Sequence, residues 1–158
     1  MSPTAEQMDV PPDYPEPSQL LAWDVVSQKL RDAPVYWLAS VRPDGRPHLV
    51  PRDGTWLDDA LYYGGSPETV RARNVGAEAP VTMHIGDGAE AIIVEGVVHI
   101  ERLTGDEALR LAELSTAKYA QYGTMDPAMY ADGVLVLRPS RVLAWTSFGL
   151  DATRFRFE

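Results

Sequence analysis

Between residues 35 and 75 apolar and polar positions alternate in short runs broken by turn residues, and these runs predict strands leading into a short helix. Val35–Val41 alternates around Trp37 and Leu38, breaks at Arg42-Pro43-Asp44-Gly45 and resumes at Arg46–Val50, the pattern of a hairpin with an Asp-Gly turn. Thr55–Leu57 then meets Ala60–Tyr63 across Asp58-Asp59, and Gly64-Gly65 frees the backbone to leave the sheet. Ser66-Pro67-Glu68 has the chemistry of a helix start. Ser66 accepts from the first unpaired amides, Pro67 needs no amide partner, and Glu68 complements the dipole.

Elsewhere the period changes. From Ser18, the predicted cap, Leu20, Trp23, Val26 and Leu30 recur every three or four positions as an amphipathic helix that Asp32-Ala33-Pro34 ends. Val81–Ile85 and the long apolar run Ala91–Ile100 predict a strand pair joined by Gly86-Asp87-Gly88, the second strand apolar enough to be covered on both faces. Gly96 inside that run marks a bulge or a close backbone approach, and a buried Glu95 calls for an arginine partner. Thr104 and Glu107 form a capping box for a helix that Gly123 stops. Val134–Arg138 and Arg141–Thr146 predict two strands with a turn at Pro139-Ser140. The final Thr153–Phe157 alternates strictly, placing Arg154 and Arg156 on one face and Phe155 and Phe157 on the other.

Composition narrows the function. A chain of 158 residues with 45% hydrophobic content suits one packed domain, residues 18–158, behind an extended, partly disordered arm, residues 1–17, rich in proline and acid. A net charge of −9 argues against nucleic acid as a partner, and no apolar run is long enough to span a membrane. The absence of cysteine excludes disulfides, thiolate metal sites and a thiol nucleophile, and fits a cytoplasmic protein. His48, His84 and His99 are too scattered for a helical metal pair, no serine sits in a nucleophile elbow, and Gly64-Gly65-Ser66 lacks the spacing of a dinucleotide fingerprint. No catalytic side chain and no metal site are therefore predicted. Such a chain can be an enzyme chiefly by holding a molecule that does the chemistry itself.

The helix after Gly64-Gly65 offers the place to hold one. Its free amides make an anion site, Arg71 adds a full charge, and Asn74 shares the Arg71 face, whereas Arg73 lies roughly 200° round the helix. From these residues alone, Arg71 and Arg73 also fit a solvated charge run paired with Glu68 or Glu78.

The run Trp37–His48, followed by Ala60–Tyr63, then Arg71-Ala72-Arg73-Asn74, and the closing Ala144-Trp145-Thr146 and Ala152–Phe157, resembles the pyridoxamine-phosphate-oxidase-like superfamily of flavin and deazaflavin split barrels, in particular the small actinobacterial deazaflavin-dependent reductases. The resemblance, over residues 20 to 158, implies a mainly β fold: an FMN-binding split barrel of six or more antiparallel strands with flanking helices. It implies coenzyme F420 or FMN as cofactor, a small-molecule substrate, and a homodimer with the cofactor groove at the interface. The ring would lie along His48, Leu49, Val50 and Pro51, its edge read by backbone groups. The phosphate would sit at Thr69 and Arg71, with Gly64, Gly65 and Asn74 also in the cofactor site, and Trp145 and Arg154 would form the outer boundary. An arginine near the C-terminus would answer Glu95. In place of the family's residues, this chain has Val70 where many relatives are basic and the charged pair Arg52-Asp53 in a stretch that is usually apolar. A non-catalytic flavin binder or a haem-binding split barrel is the alternative expectation.

Overall fold

The structure is a computed structural model and describes residues 2–64 and 79–158. In chain order its elements are β1 (Thr4–Gln7), α1 (Trp23–Asp32), β2 (Tyr36–Val41), β3 (Pro47–Arg52), β4 (Thr55–Leu57), β5 (Ala60–Tyr63), β6 (Ala79–Gly86), β7 (Ala91–Glu101), α2 (Gly105–Lys118), β8 (Val134–Trp145), α3 (Phe148–Asp151) and β9 (Thr153–Arg156). Among the described residues, nine strands form one antiparallel sheet in the order β1-β9-β8-β7-β6-β2-β3, with β4-β5 attached to β8. The sheet is not closed: β3 and β1 are its ends. This is the mainly β, split-barrel architecture that the family resemblance implies.

Turn chemistry sets the two early reversals. Gly45 takes φ +83°, and the Asp44 carboxylate accepts the Arg46 amide at 3.1 Å. Asp58 and Asp59 both adopt positive φ, 49° and 57°, as a two-residue primed turn demands. That turn is held from both sides: Asp59 accepts Trp23 Nε1–H at 3.1 Å, and Arg110 of α2 reaches Asp58 at 2.8 Å. Trp23 itself packs its ring against Trp56, Phe155 and Phe157, so it belongs to the core rather than to a ligand.

The register of β7 shifts between Glu95 and Gly96, where the carbonyl of Arg138 would lie 2.0 Å from any Cβ on Gly96. The predicted turn at Pro139-Ser140 is absent, and β8 runs unbroken from Val134 to Trp145. Pro139 faces Gly96 across this bulge, where its missing N–H leaves no gap in a regular ladder. The two halves of β8 have different outer neighbours, β5 for Leu135–Leu137 and β9 for Arg141–Ala144, which is where the sheet splits.

Three helix boundaries also differ from the pattern. α1 begins at Trp23 rather than Ser18, because the amides of Ser18 and Gln19 are taken by the Leu150 carbonyl and hold that stretch extended. Thr104 caps α2 in position but its side chain makes no capping bond, since the helix opens on Gly105 at φ +60°. α2 ends at Lys118, not at Gly123, as Tyr119 leaves helical dihedrals and a short 3-10 turn, Ala120–Tyr122, follows. In the N-terminal arm, Thr4–Gln7 pairs with Thr153–Arg156 as an added edge strand.

Candidate functional site

β3 is the edge of the sheet nearest the predicted cofactor position, and its alternation divides the expected ring-binding residues. His48, Val50 and Arg52 are half-buried on one face, while Pro47, Leu49 and Pro51 are exposed on the other. The backbone divides in the same way. Arg42 N–H donates to Arg46 O at 2.8 Å, so in this antiparallel pair the even-numbered residues of β3 bond to β2 and the odd-numbered ones point their groups outward. Pro47 and Pro51 have no N–H. The outer edge therefore presents a single amide donor, Leu49, flanked by the carbonyls of Pro47, Leu49 and Pro51. On the inner face the Nδ1 of His48 and the Nε of Arg52 are buried without a hydrogen-bond partner among the described residues, as is the Nε of Arg42 at the hairpin end. Buried polar atoms are nearly always paired in folded proteins, so three in one hairpin mark it as built to meet something else.

At the C-terminal end of β3 the chain turns through Asp53 and Gly54 into β4, and α2 holds this connection. Lys118 Nζ donates to Gly54 O at 3.0 Å and to the Tyr36 hydroxyl at 2.7 Å. The Tyr119 hydroxyl accepts the Gly54 amide at 2.9 Å and lies 2.9 Å from Gly54 O and 3.1 Å from Pro34 O, so its one proton serves one of these carbonyls. A Cβ on Gly54 would come within 2.8 Å of Leu61 Cδ1 and 3.0 Å of Tyr62 O, so only glycine fits. The Lys118 ammonium also sits 4.7 Å from the Tyr36 ring centre and 5.4 Å from that of Tyr119. Burial pushes its pKa down to about 8, opposed by the more distant Asp32 and Asp53.

The connection borders a cavity of about 370 Å³ lined by Val35, Pro51, Arg52, Asp53 and Gly64. That volume falls within the usual range of small-molecule clefts, roughly 300–1,000 Å³. It joins the end of β3 to the end of β5, two segments that the sequence places in one site. It also puts the Arg52-Asp53 pair on the wall.

His48, Leu49, Val50 and Pro51 thus lie on one edge strand, and Gly64 joins Pro51 across the cavity. Gly65, Thr69, Arg71 and Asn74 lie outside the described residues. Trp145 and Arg154 are not brought to β3 within the chain. Arg154 lies in the same sheet row as Pro51 but five strands away, roughly 24 Å at the usual strand spacing. It binds Glu6 at 3.2 Å and Asp9 at 3.1 Å from the N-terminal arm. Arg156, with Arg154, holds the Glu6 carboxyl below the usual carboxylate range. Trp145 donates to Gly88 O at 3.3 Å and packs edge-on against Phe148. Glu95 finds its arginine in Arg141 of the adjoining strand, Nε to Oε2 2.8 Å, and not in the C-terminal Arg154 and Arg156, which Glu6 engages. The residues that sequence reasoning missed are Lys118 and Tyr119. The one available signal was scarcity, since Lys118 is one of only two lysines in the chain.

The fold is an open split barrel with a cleft beside its edge strand, and residues 22–146 match the pyridoxamine 5'-phosphate oxidase family model. The chain belongs to that family. Among solved structures, it is similar to the conserved hypothetical protein Rv2991 from Mycobacterium tuberculosis, with 17% identity, a TM-score of 0.67, and 87% of this chain and 89% of that one covered. It is similar to a haem-binding protein from Mycobacterium smegmatis at 22% identity and TM-score 0.58, covering 80% of this chain and 55% of that one. An F420 reductase matches at 25% identity and TM-score 0.54, covering 84% and 98%. No curated protein matches the sequence.

Proposed function

We propose that the protein is a cytoplasmic oxidoreductase that binds an F420-type deazaflavin or FMN along β3 and passes hydride to a small organic substrate. The outer edge of β3 carries this reading: one amide donor set among carbonyls beside a cavity of about 370 Å³. An isoalloxazine-type ring has an edge on which a ring N–H lies between acceptor oxygens and nitrogens, so Leu49 N–H would meet an acceptor and a neighbouring carbonyl would take the ring N–H. When bound, such a ring supplies the hydride chemistry that the side chains lack. Arg52 and Asp53 would flank the ring, and Gly64, Gly65, Thr69, Arg71 and Asn74 would hold its phosphate. The similarity to an F420 reductase supports the deazaflavin among the two cofactors.

The outward face of the sheet supports a homodimer with the cofactor groove at its interface. Trp37, Val41 and Leu49 are 45%, 60% and 61% exposed there, with half-buried Ile93 and Leu143 on the far side of His84 in the same row. An apolar strip of this kind is what a second subunit covers. Trp145 and Arg154 would then border the groove from the second copy.

A second reading, a haem or flavin carrier without turnover, draws on His48, a half-buried imidazole on the edge strand β3 and a side chain of the type that ligates metals. Titration of the purified protein with FMN, F420 and haemin separates the two readings. The proposal expects saturable binding of one of the first two and turnover with an electron acceptor. Binding of haemin alone, with a Soret shift lost in His48→Ala, would replace it with the second. In the same titration Arg71→Ala is expected to weaken the cofactor by about 1.5–3 kcal/mol, the worth of a charged hydrogen bond. Leu49→Pro is the sharper probe of the edge. Proline is tolerated on an outward edge position, so the fold should survive while loss of the amide weakens binding roughly three- to tenfold, the ~0.5–1.5 kcal/mol of one neutral hydrogen bond. Unchanged affinity with a native melting curve would remove the ring from β3.

A further inference from the structure

On the other side of the Asp53–Thr55 connection, between α2 and β5, lies a second cavity of about 200 Å³. We propose that it binds a neutral, planar aromatic molecule of one or two rings carrying a hydrogen-bond acceptor. Tyr62, Tyr119, Tyr122, Tyr130, Met125 and Met129 line it, together with the apolar Leu111 and Val134. Tyrosine faces and methionine sulfurs favour flat, polarizable guests over branched aliphatic ones. An engineered apolar cavity of about 150 Å³ holds one benzene ring, so this one admits a substituted or fused ring. Tyr122 and Met129 are each 61% exposed and mark the way in.

The polar anchor is a hydroxyl pair. Thr55 Oγ1 and Ser115 Oγ lie 2.8 Å apart, both residues are buried, and both line the cavity. One hydroxyl proton satisfies the other oxygen, leaving the second proton for an acceptor on the guest. Tyr130 approaches Ser115 Oγ only at 3.5 Å, as a donor, and so does not take up that proton. The Asp53 carboxylate on the lining disfavours an anionic guest. The loop that supplies Tyr122, Met125, Met129 and Tyr130 has no other assigned role, and it contributes four of the seven tyrosine and methionine residues that line the cavity.

The two cavities share Asp53 and Gly64, so if the redox reading above holds, this is where the hydride acceptor lies. Binding itself does not depend on that reading, and is tested on the full chain with no cofactor added. Quinoline and naphthalene have one shape and differ in one acceptor nitrogen. With methyl-labelled methionine, both are expected to shift the Met125 and Met129 resonances saturably and to leave Met8 and Met83 in place. Quinoline should bind roughly five- to tenfold tighter, the worth of one hydrogen bond. The double variant Thr55→Val, Ser115→Ala should bind the two equally. Absence of saturable shifts at Met125 and Met129, or equal affinities in the unaltered protein, would overturn the proposal, and neither needs the variant to fold. Failure of FMN and F420 to bind in their own titration would instead count against the redox reading and leave this site standing.

Discussion

Gly96→Ala is expected to destabilise the protein by about 3 kcal/mol or more, at or beyond the top of the usual overpacking range. The added methyl would stand 2.0 Å from the Arg138 carbonyl oxygen and 2.8 Å from its carbon, inside the hydrogen-bonded ladder between β7 and β8. Neither neighbour is a side-chain end that can swing away. Relief requires separating two strands at the bulge where β8 changes its outer partner from β5 to β9, so the strain falls on both halves of the barrel. For a chain of this length the melting midpoint should fall by about 6–12 °C, read by calorimetry against the unaltered protein. Gly88→Ala is the control: it is a loop glycine with open space around its Cβ position, so the strain of its positive φ alone sets the cost, about 1–2 kcal/mol. Similar losses in both variants would show that the close approach at Gly96 is not what the packing depends on.

Stability is expected to rise between about pH 8 and pH 10, and the Lys118 amine is the cause. Burial brings its folded pKa to about 8, against an ordinary value of 10.5. Between these values the unfolded chain holds a proton that the folded chain has released, so raising the pH favours folding. Across the whole interval the gain is on the order of 3 kcal/mol, a ceiling because nearby water screens part of the charge. The rise should turn over above about pH 10, where the unfolded tyrosines ionise. Burial of Tyr36 and Tyr63 pushes their phenols up, so folding keeps them neutral and loses ground as the unfolded phenolates form. Lys118→Met keeps the apolar stem and removes the titration. Denaturant melts from pH 7 to 10 should then be flat or falling for the variant and rising for the parent. A parallel rise in both would assign the effect to another group. The variant also loses the bond to Gly54 O, so looser cofactor binding in it would tie the clamp to the site it borders.

The sequence by itself determined the local features: strand periodicity from β2 through β7, the Asp-Gly and Asp-Asp reversals, the bulge glycine, and the alternation of arginine and phenylalanine in β9. Each depends on residues a few positions apart, whose side-chain direction and allowed dihedrals follow from the chain itself. The strand that holds His48–Pro51 was legible for the same reason, whereas its expected role beside a ring came from the family resemblance and its edge position from the sheet order.

Only the tertiary structure decided the rest. Proline-serine in β8 reads as a turn until a bulge on the partner strand makes room for it. Ser18 reads as a cap until Leu150, far along the chain, claims its amide. Lys118 and Tyr119 meet Gly54 across more than sixty residues, and the hydroxyls of Thr55 and Ser115 meet across sixty. Such partners leave no periodic trace in a single sequence. Their positions are fixed by how α2 packs on the barrel, and that packing is chosen by the burial of the whole apolar surface rather than by any local preference.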